Sequence, residues 1–98
     1  MRSDIQKMIE RREHVLDRVK ELLITALKLD LSKDDLDPDT PLFATGLGLD
    51  SVDAVVIIVD LESEIGITLT EDESMLALRT INSLVDVVIK KKINETDD

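Results

Sequence analysis

In the run Leu47-Gly48-Leu49-Asp50-Ser51-Val52, a serine hydroxyl stands at the mouth of a strongly apolar segment. Asp50 is suited to cap a helix beginning there, because its carboxylate can accept backbone N–H groups of the first turn. Ser51 then takes the first helical position, with the positive end of the helix dipole beneath its oxygen. A phosphate ester on that oxygen would lie where a helix N-terminus favours negative charge. On its own an Asp-Ser pair marks only the start of a helix, so other chemistries and the surrounding pattern have to decide.

Several chemistries fail on residue type. Gly46-x-Gly48 is followed by Ser51 where a dinucleotide loop needs its third glycine, and no strand precedes it. Leu49 and Asp53 replace the flanking glycines of a nucleophile elbow. A Ser-His-Asp triad would have to recruit His14, the only histidine, from the far end of the first helix; His14 reads as an ordinary surface or packing residue. The acidic run Asp30, Asp34, Asp35, Asp37, Asp39 puts Asp35 and Pro41, or Thr40 and Gly46, where a calcium loop needs Gly and Glu. No catalytic or metal-ligating set emerges. Cysteine is absent, so there is no disulfide framework and no protein thiol nucleophile.

The elements that must position Ser51 can be read from periodicity. Ninety-eight residues make one small domain, with a core built from aliphatic side chains because Phe43 is the only aromatic residue. Ser3 with Gln6 matches a capping box, and Ile5, Met8, Ile9, Val15, Leu16, Val19, Leu22 and Leu23 recur at helical spacing. The spacing predicts a first helix over 4–29, with a break near 10–13 where the apolar stripe lapses. Residues 30–49 hold both prolines and two of the three glycines and read as a long loop, with Leu36, Leu42, Phe43 and Leu47 as anchors. The second helix is expected over 51–65 with Gly66 as its C′ residue. Thr70 with Glu73 starts a short third helix over 71–78, Thr80 caps a fourth, and 94–98 reads as a frayed tail. The fold class is all-α: a small bundle of three main helices plus one short one. Residues 1–98 are read as a single domain, 1–12 being an N-terminal extension of the first helix.

Charge is asymmetric. Residues 1–30 carry seven Lys/Arg against six Asp/Glu, and residues 31–98 carry five against sixteen, for a net charge of −10 overall. Such a surface repels nucleic acid and anionic membranes and attracts basic protein patches. No window approaches eighteen apolar residues, and the opening Met-Arg-Ser-Asp lacks a signal-peptide core, so a monomeric cytoplasmic protein with no membrane insertion is expected. The second helix is anomalous: Val52, Val55, Val56, Ile57, Ile58, Val59, Leu61 and Ile65 spread around more than one face. Some of them must meet a partner, a cavity or solvent.

From Glu13 to Lys92 the chain resembles acyl carrier proteins, through Pro41, Phe43, Leu47 and Gly48 before Asp50-Ser51 and Glu62, Ile65 and Leu69 after it. Val52 stands where that family most often has Leu. The resemblance implies a carrier rather than an enzyme, with 4′-phosphopantetheine covalently attached to Ser51 by a separate magnesium-dependent phosphopantetheinyl transferase. Asp50 would help position the metal during attachment. The arm's thiol would hold acyl intermediates of fatty-acid, lipid or polyketide assembly as thioesters. Acyl-loading and acyl-using enzymes with basic docking patches would meet the second helix at Val52, Asp53, Val56, Val59, Asp60 and Glu62. Val56 replaces an acidic residue and Val59 a methionine common in the housekeeping carriers, which implies a specialised member. An aminoacyl or peptidyl carrier, or an unmodified helical interaction module, would share the same pattern.

Overall fold

The computed structural model describes residues 2–43 and 47–96, with side chains from Asp4 to Lys92. Four helices follow in order: α1 (Arg2–Leu27), α2 (Ser51–Ile65), α3 (Glu71–Ala77) and α4 (Ile81–Thr96), with one 3-10 turn (Lys33–Asp35) in the first crossover. The expected all-α bundle of three main helices and one short one is what forms. α1 packs against both α2 and α4, and α3 packs against α4.

α1 runs unbroken through 10–13, where a break was expected. Arg12 supplies the reason: its guanidinium donates to the Asp86 carboxylate and to Asn82 Oδ1, so a charged position is held against α4 rather than released to solvent. Arg2 is already helical, so Ser3 lies within the first turn rather than at an N-cap. At the other end the helix stops two residues sooner than expected. Lys28 adopts a left-handed conformation (φ 53°) and the Leu29 amide reaches back to the Ile24 carbonyl at 3.0 Å. This is a Schellman closure with lysine where glycine is the usual residue.

The core draws on every element. Val19 and Leu23 from α1 meet Ile57 and Leu61 from α2 and Ile81, Leu84, Val85 and Val88 from α4, all 2% exposed or less. Two of the loop anchors, Leu36 and Leu42, are as deeply buried, and Phe43 and Leu47 are half-buried against them. The described parts of the long loop, 30–43 and 47–49, are therefore held by burial of their leucines. Its backbone is also stitched to the α3–α4 junction: the Leu42 amide donates to the Arg79 carbonyl and the Asn82 amide to Pro38, each at 3.0 Å. Gly66 closes α2 with φ 79°, its amide on the Glu62 carbonyl at 3.1 Å, as the sequence predicts.

The two later capping signals hold. The Thr70 amide donates to the Glu73 carboxylate at 2.9 Å and the Glu73 amide to Thr70 Oγ1 at 3.1 Å, starting α3. Thr80 Oγ1 accepts from the Ser83 amide while Ser83 Oγ accepts from the Thr80 amide, starting α4. α4 continues to Thr96, so residues 94–96 are helical rather than part of a tail, and 97–98 lie outside the described residues. No helix among the described residues is long and apolar enough to cross a membrane.

Candidate functional site

Ser51 is the first residue of α2, and its side chain is exposed. Two local devices fix the backbone that presents it. Before it, the Leu49 amide donates to the Leu42 carbonyl at 3.0 Å, and Gly48 takes φ 68°, so the approach to the helix is tied to a leucine that is itself fully buried. After it, Asp50 and Asp53 form a reciprocal cap. Asp50 Oδ1 accepts the Asp53 amide at 3.0 Å, and Asp53 Oδ2 accepts the Asp50 amide at 3.1 Å. The hydroxyl thus stands on a helix start whose backbone cannot rotate freely, with the dipole of a 15-residue helix behind it.

The other serines are placed differently. Asp35 Oδ2 accepts from both the amide and the hydroxyl of Ser32 at 3.0 Å. Ser83 Oγ is engaged with the Thr80 amide and the Ala77 and Thr80 carbonyls. Ser63 and Ser74 sit within α2 and α3, and the side chain of Ser3 lies outside the described residues. Among the described residues, Ser51 alone combines an exposed hydroxyl with the opening of a long helix.

α2 resolves its apolar excess into two faces. Ile57 and Leu61 are fully buried, while Val52, Val55 and Val59 are 68%, 62% and 53% exposed. These three fall at i, i+3 and i+7 and form one stripe running away from Ser51. Val56 is half-buried at the edge of that stripe, not at its centre, and Val55, which sequence reasoning did not assign a docking role, is fully part of it. Stepping each residue 100° from the buried Ile57 would have found Val55.

The acidic residues expected to dock partners are mostly engaged with their own chain. Asp53 is the reciprocal cap just described. The Glu62 carboxylate accepts the Leu69 amide at 3.1 Å, pinning the segment between α2 and α3. Asp60 lines a groove of about 330 Å³ between α1 and α2 with Arg18, Glu21, Leu22, Thr25 and Glu64. The exposed carboxylates nearer the ends are Asp50, itself half of that cap, and Glu71 and Asp72 at the start of α3. Among the described residues no group of three or more His, Cys, Asp or Glu could hold a metal ion.

A family model described as "Phosphopantetheine attachment site" matches residues 17–88. The chain belongs to that family. The relatives it matches are acyl carrier proteins. The acyl carrier protein of Chlorobium phaeovibrioides is 30% identical over 77 residues, covering 79% of this chain and 94% of that one. That of Petrotoga mobilis is 29% identical over 87 residues, covering 89% and 96%. A solved structure of the acyl carrier protein from Enterococcus faecalis matches the fold with a TM-score of 0.65 over 82% of this chain and 96% of that one, at 21% identity. The carrier is therefore not an enzyme: its prosthetic group is 4′-phosphopantetheine, and the proteins it works with are a phosphopantetheinyl transferase and acyl-handling enzymes. The exposed hydroxyl on a capped helix start fits an arm joined through a phosphodiester, since no side chain of the described structure covers it and the helix dipole favours the phosphate.

Proposed function

We propose that Ser51 carries the 4′-phosphopantetheine arm and that this carrier delivers acyl groups to a dedicated enzyme set in the cytoplasm. The observation that supports Ser51 is its exposed hydroxyl at the opening of α2, held by the Asp50–Asp53 cap inside the matched region. The bound arm supplies a terminal thiol on which an acyl chain is held as a thioester. The chain's own residues hold the serine still, lend the dipole of α2 to the phosphate, and offer a surface for recognition. Asp50, exposed beside the hydroxyl, is a hard oxygen donor for the magnesium of the transferase step.

Partner choice in this reading follows the stripe Val52, Val55, Val59. A partner would present an apolar contact to it, with cationic groups at the edges facing Asp50, Glu71 and Asp72. Such a carrier suits a dedicated lipid, polyketide or envelope pathway better than general fatty-acid elongation. Acyl cargo is favoured over aminoacyl cargo because the curated relatives are named acyl carrier proteins.

Intact-mass analysis after incubation with coenzyme A, magnesium and a broad-specificity phosphopantetheinyl transferase tests the reading. One adduct is expected on the wild type and none on Ser51→Ala. An adduct surviving in Ser51→Ala would move the site elsewhere, and no adduct on the wild type would favour an unmodified helical module.

A further inference from the structure

The start of α2 is joined to the start of α4 by a small backbone ladder with residues 41–43 as its middle segment. On one edge Pro41 lies antiparallel to Thr80, and the Leu42 amide donates to the Arg79 carbonyl at 3.0 Å. On the other edge Phe43 runs parallel to Leu49. There the Leu47 amide donates to the Pro41 carbonyl and the Leu49 amide to the Leu42 carbonyl, each at 3.0 Å. Asp50 and Ser51 follow directly. The position of the serine is therefore inherited from 41–43, and from whatever holds that segment on α4.

Asn82 supplies the hold. Its backbone amide donates to the Pro38 carbonyl at 3.0 Å and its Nδ2 to Asp39 Oδ1 at 2.6 Å, while its Oδ1 accepts from Arg12 Nη2 at 3.0 Å. Three parts of the chain meet on this one half-buried side chain: α1, the loop just before Pro41, and the first turn of α4. An amide suits the place, because a guanidinium can only donate and an ionised carboxylate can only accept. Asparagine offers an acceptor and a donor on separate atoms, whereas an Asp or a Lys would satisfy one neighbour only.

Both neighbours are held independently of Asn82. Arg12 is also gripped by the Asp86 carboxylate, and the Asp39 amide donates to Asp37 Oδ1 at 2.9 Å. Neither side-chain contact of Asn82 caps α4, whose first turn is closed by the exchange between Thr80 and Ser83. The amide at position 82 thus serves the loop rather than the helix that bears it.

We propose that Asn82 is a positioning residue for attachment of the arm, a role that rests on the reading of Ser51 given above. Its side chain locks the loop onto α1 and α4, and through 41–43 it fixes the backbone that presents Ser51 to the transferase. Loss of the lock leaves the hydroxyl and the Asp50–Asp53 cap intact but lets the helix start that bears them shift. Group transfer in an oriented complex is sensitive to displacements of about 1 Å. The docking surface of α2 is untouched, so the effect falls on kcat of transfer more than on KM for the carrier.

Two variants separate the side chain from the helix it sits on. Asn82→Asp keeps an acceptor for Arg12 and puts a carboxylate in the first turn of α4, where the helix dipole favours it. A purely local role therefore predicts no loss. The same change removes the donor to Asp39 and sets two carboxylates against each other. Combining it with Asp39→Asn reverses donor and acceptor and restores the contact at unchanged net charge.

Amide hydrogen exchange of the unmodified chain tests the proposal, together with steady-state arm transfer from coenzyme A by a magnesium-dependent phosphopantetheinyl transferase. Both are measured well below the melting temperatures. Asn82→Asp should lose about ten-fold in protection at Leu47 and Leu49 while Val19 and Leu23 in α1 keep theirs. Its kcat of transfer should fall about five-fold, and the double variant should recover most of both losses. Unchanged exchange at Leu47 and Leu49 in Asn82→Asp would overturn the proposal. So would an unchanged kcat, a fall in transfer carried by KM alone, or no recovery in the double variant. A wild type that takes up no arm would overturn the reading of Ser51 and this role with it, whereas normal uptake with unaltered exchange would overturn the role alone.

Discussion

Asp50 and Asp53 each hold the other's backbone amide, at 3.0 and 3.1 Å, across the first turn of α2. Two carboxylates three residues apart thus satisfy two of the orphan donors of the helix start while Ser51 stands between them with its hydroxyl in water. The pair separates two roles that the sequence alone merges. Both carboxylates are committed to a backbone amide, but Asp50 is exposed and Asp53 half-buried, so in the proposed reading Asp50 is the one that would meet a metal.

Breaking this cap should cost both stability and presentation. Asp53→Ala is expected to destabilise the fold by about 1 kcal/mol, the usual loss for a capping group. It should slow arm transfer without abolishing it, because the hydroxyl and Asp50 remain. Asp50→Ala should cost a similar amount of stability but reduce transfer much further. Denaturant melts and initial rates of adduct formation separate the two, and equal transfer rates for both variants would refute the division of roles.

The end of α1 offers a stabilising change. Lys28 sits at φ 53°, a left-handed conformation that costs a residue with a Cβ roughly 1 kcal/mol and glycine very little. Its side chain is exposed, so nothing packed is lost on truncation. Lys28→Gly should therefore raise stability by up to about 1 kcal/mol, read as a higher urea midpoint at unchanged m-value. A lower midpoint would mean that unfolded-state entropy outweighs the relieved strain.

Much of this architecture was legible because it is written in short-range signals. Asp50, Gly66, Thr70 and Thr80 each mark a helix end through a residue type and a spacing of a few positions, and each marks it in the structure. The reciprocal partners Asp53 and Ser83 were visible at the same spacing, but Asp and Ser are not the Glu or Gln of the familiar capping box. The loop anchors were legible since a buried leucine is the usual reason for a long ordered loop. The Glu62–Leu69 pin, the Arg12 grip on α4 and the glycine-like role of Lys28 were not. The first two join residues whose proximity only the fold creates, and the last is set by tertiary closure against local preference.

Acid should unfold the protein through identifiable groups. The backbone amide of Thr70 and the ammonium of Lys91 hold the Glu73 carboxyl below its ordinary value of 4.5, and the amide and hydroxyl of Ser32 hold Asp35 below its ordinary value of 3.8. A carboxyl depressed in the folded state contributes stability that is present above its ordinary value and lost as pH falls through the folded value. Melting temperature should therefore fall as pH drops from about 5 toward 3, and Glu73→Gln should flatten part of that fall while lowering the plateau at pH 7. At pH 7 the net charge of −10 adds repulsion, so salt and magnesium should raise the melting temperature there. An acid limb unchanged in Glu73→Gln would remove Glu73 from the account.

Glu62 should behave as a structural rather than an electrostatic residue. Its carboxylate accepts the Leu69 amide, and Leu69 packs against the core. Glu62→Ala leaves that half-buried amide to find water, with a cost of about 1–2 kcal/mol. Glu62→Gln keeps an acceptor at the same place and should recover most of the loss, although the net charge changes as much as in Glu62→Ala. Equal destabilisation by both variants would show that the charge, not the hydrogen bond, is what matters.

The exposed stripe on α2 yields the sharpest test of partner choice, and it moves the decisive position. Sequence comparison with the housekeeping pattern singles out Val56, but that side chain is half-buried, whereas Val55 and Val59 are 62% and 53% exposed. A carboxylate at position 56 would lie partly against the bundle and cost about 1–3 kcal/mol of stability, confounding any measurement of docking. At Val55 or Val59 the same charge enters water and should change stability by no more than about 0.5 kcal/mol. Val55→Glu and Val59→Glu should then weaken turnover by the dedicated enzymes proposed above, whose matching contact would be apolar, without unfolding the carrier. With a general elongation enzyme that presents Arg or Lys to the carrier helix, the same variants should gain turnover, mainly through faster association. Turnover of one common acyl load on wild type, Val55→Glu, Val59→Glu and Val56→Glu, set beside their melting temperatures, reads all of this at once. If Val56→Glu alone changed turnover while keeping wild-type stability, the stripe would not be the surface that selects partners.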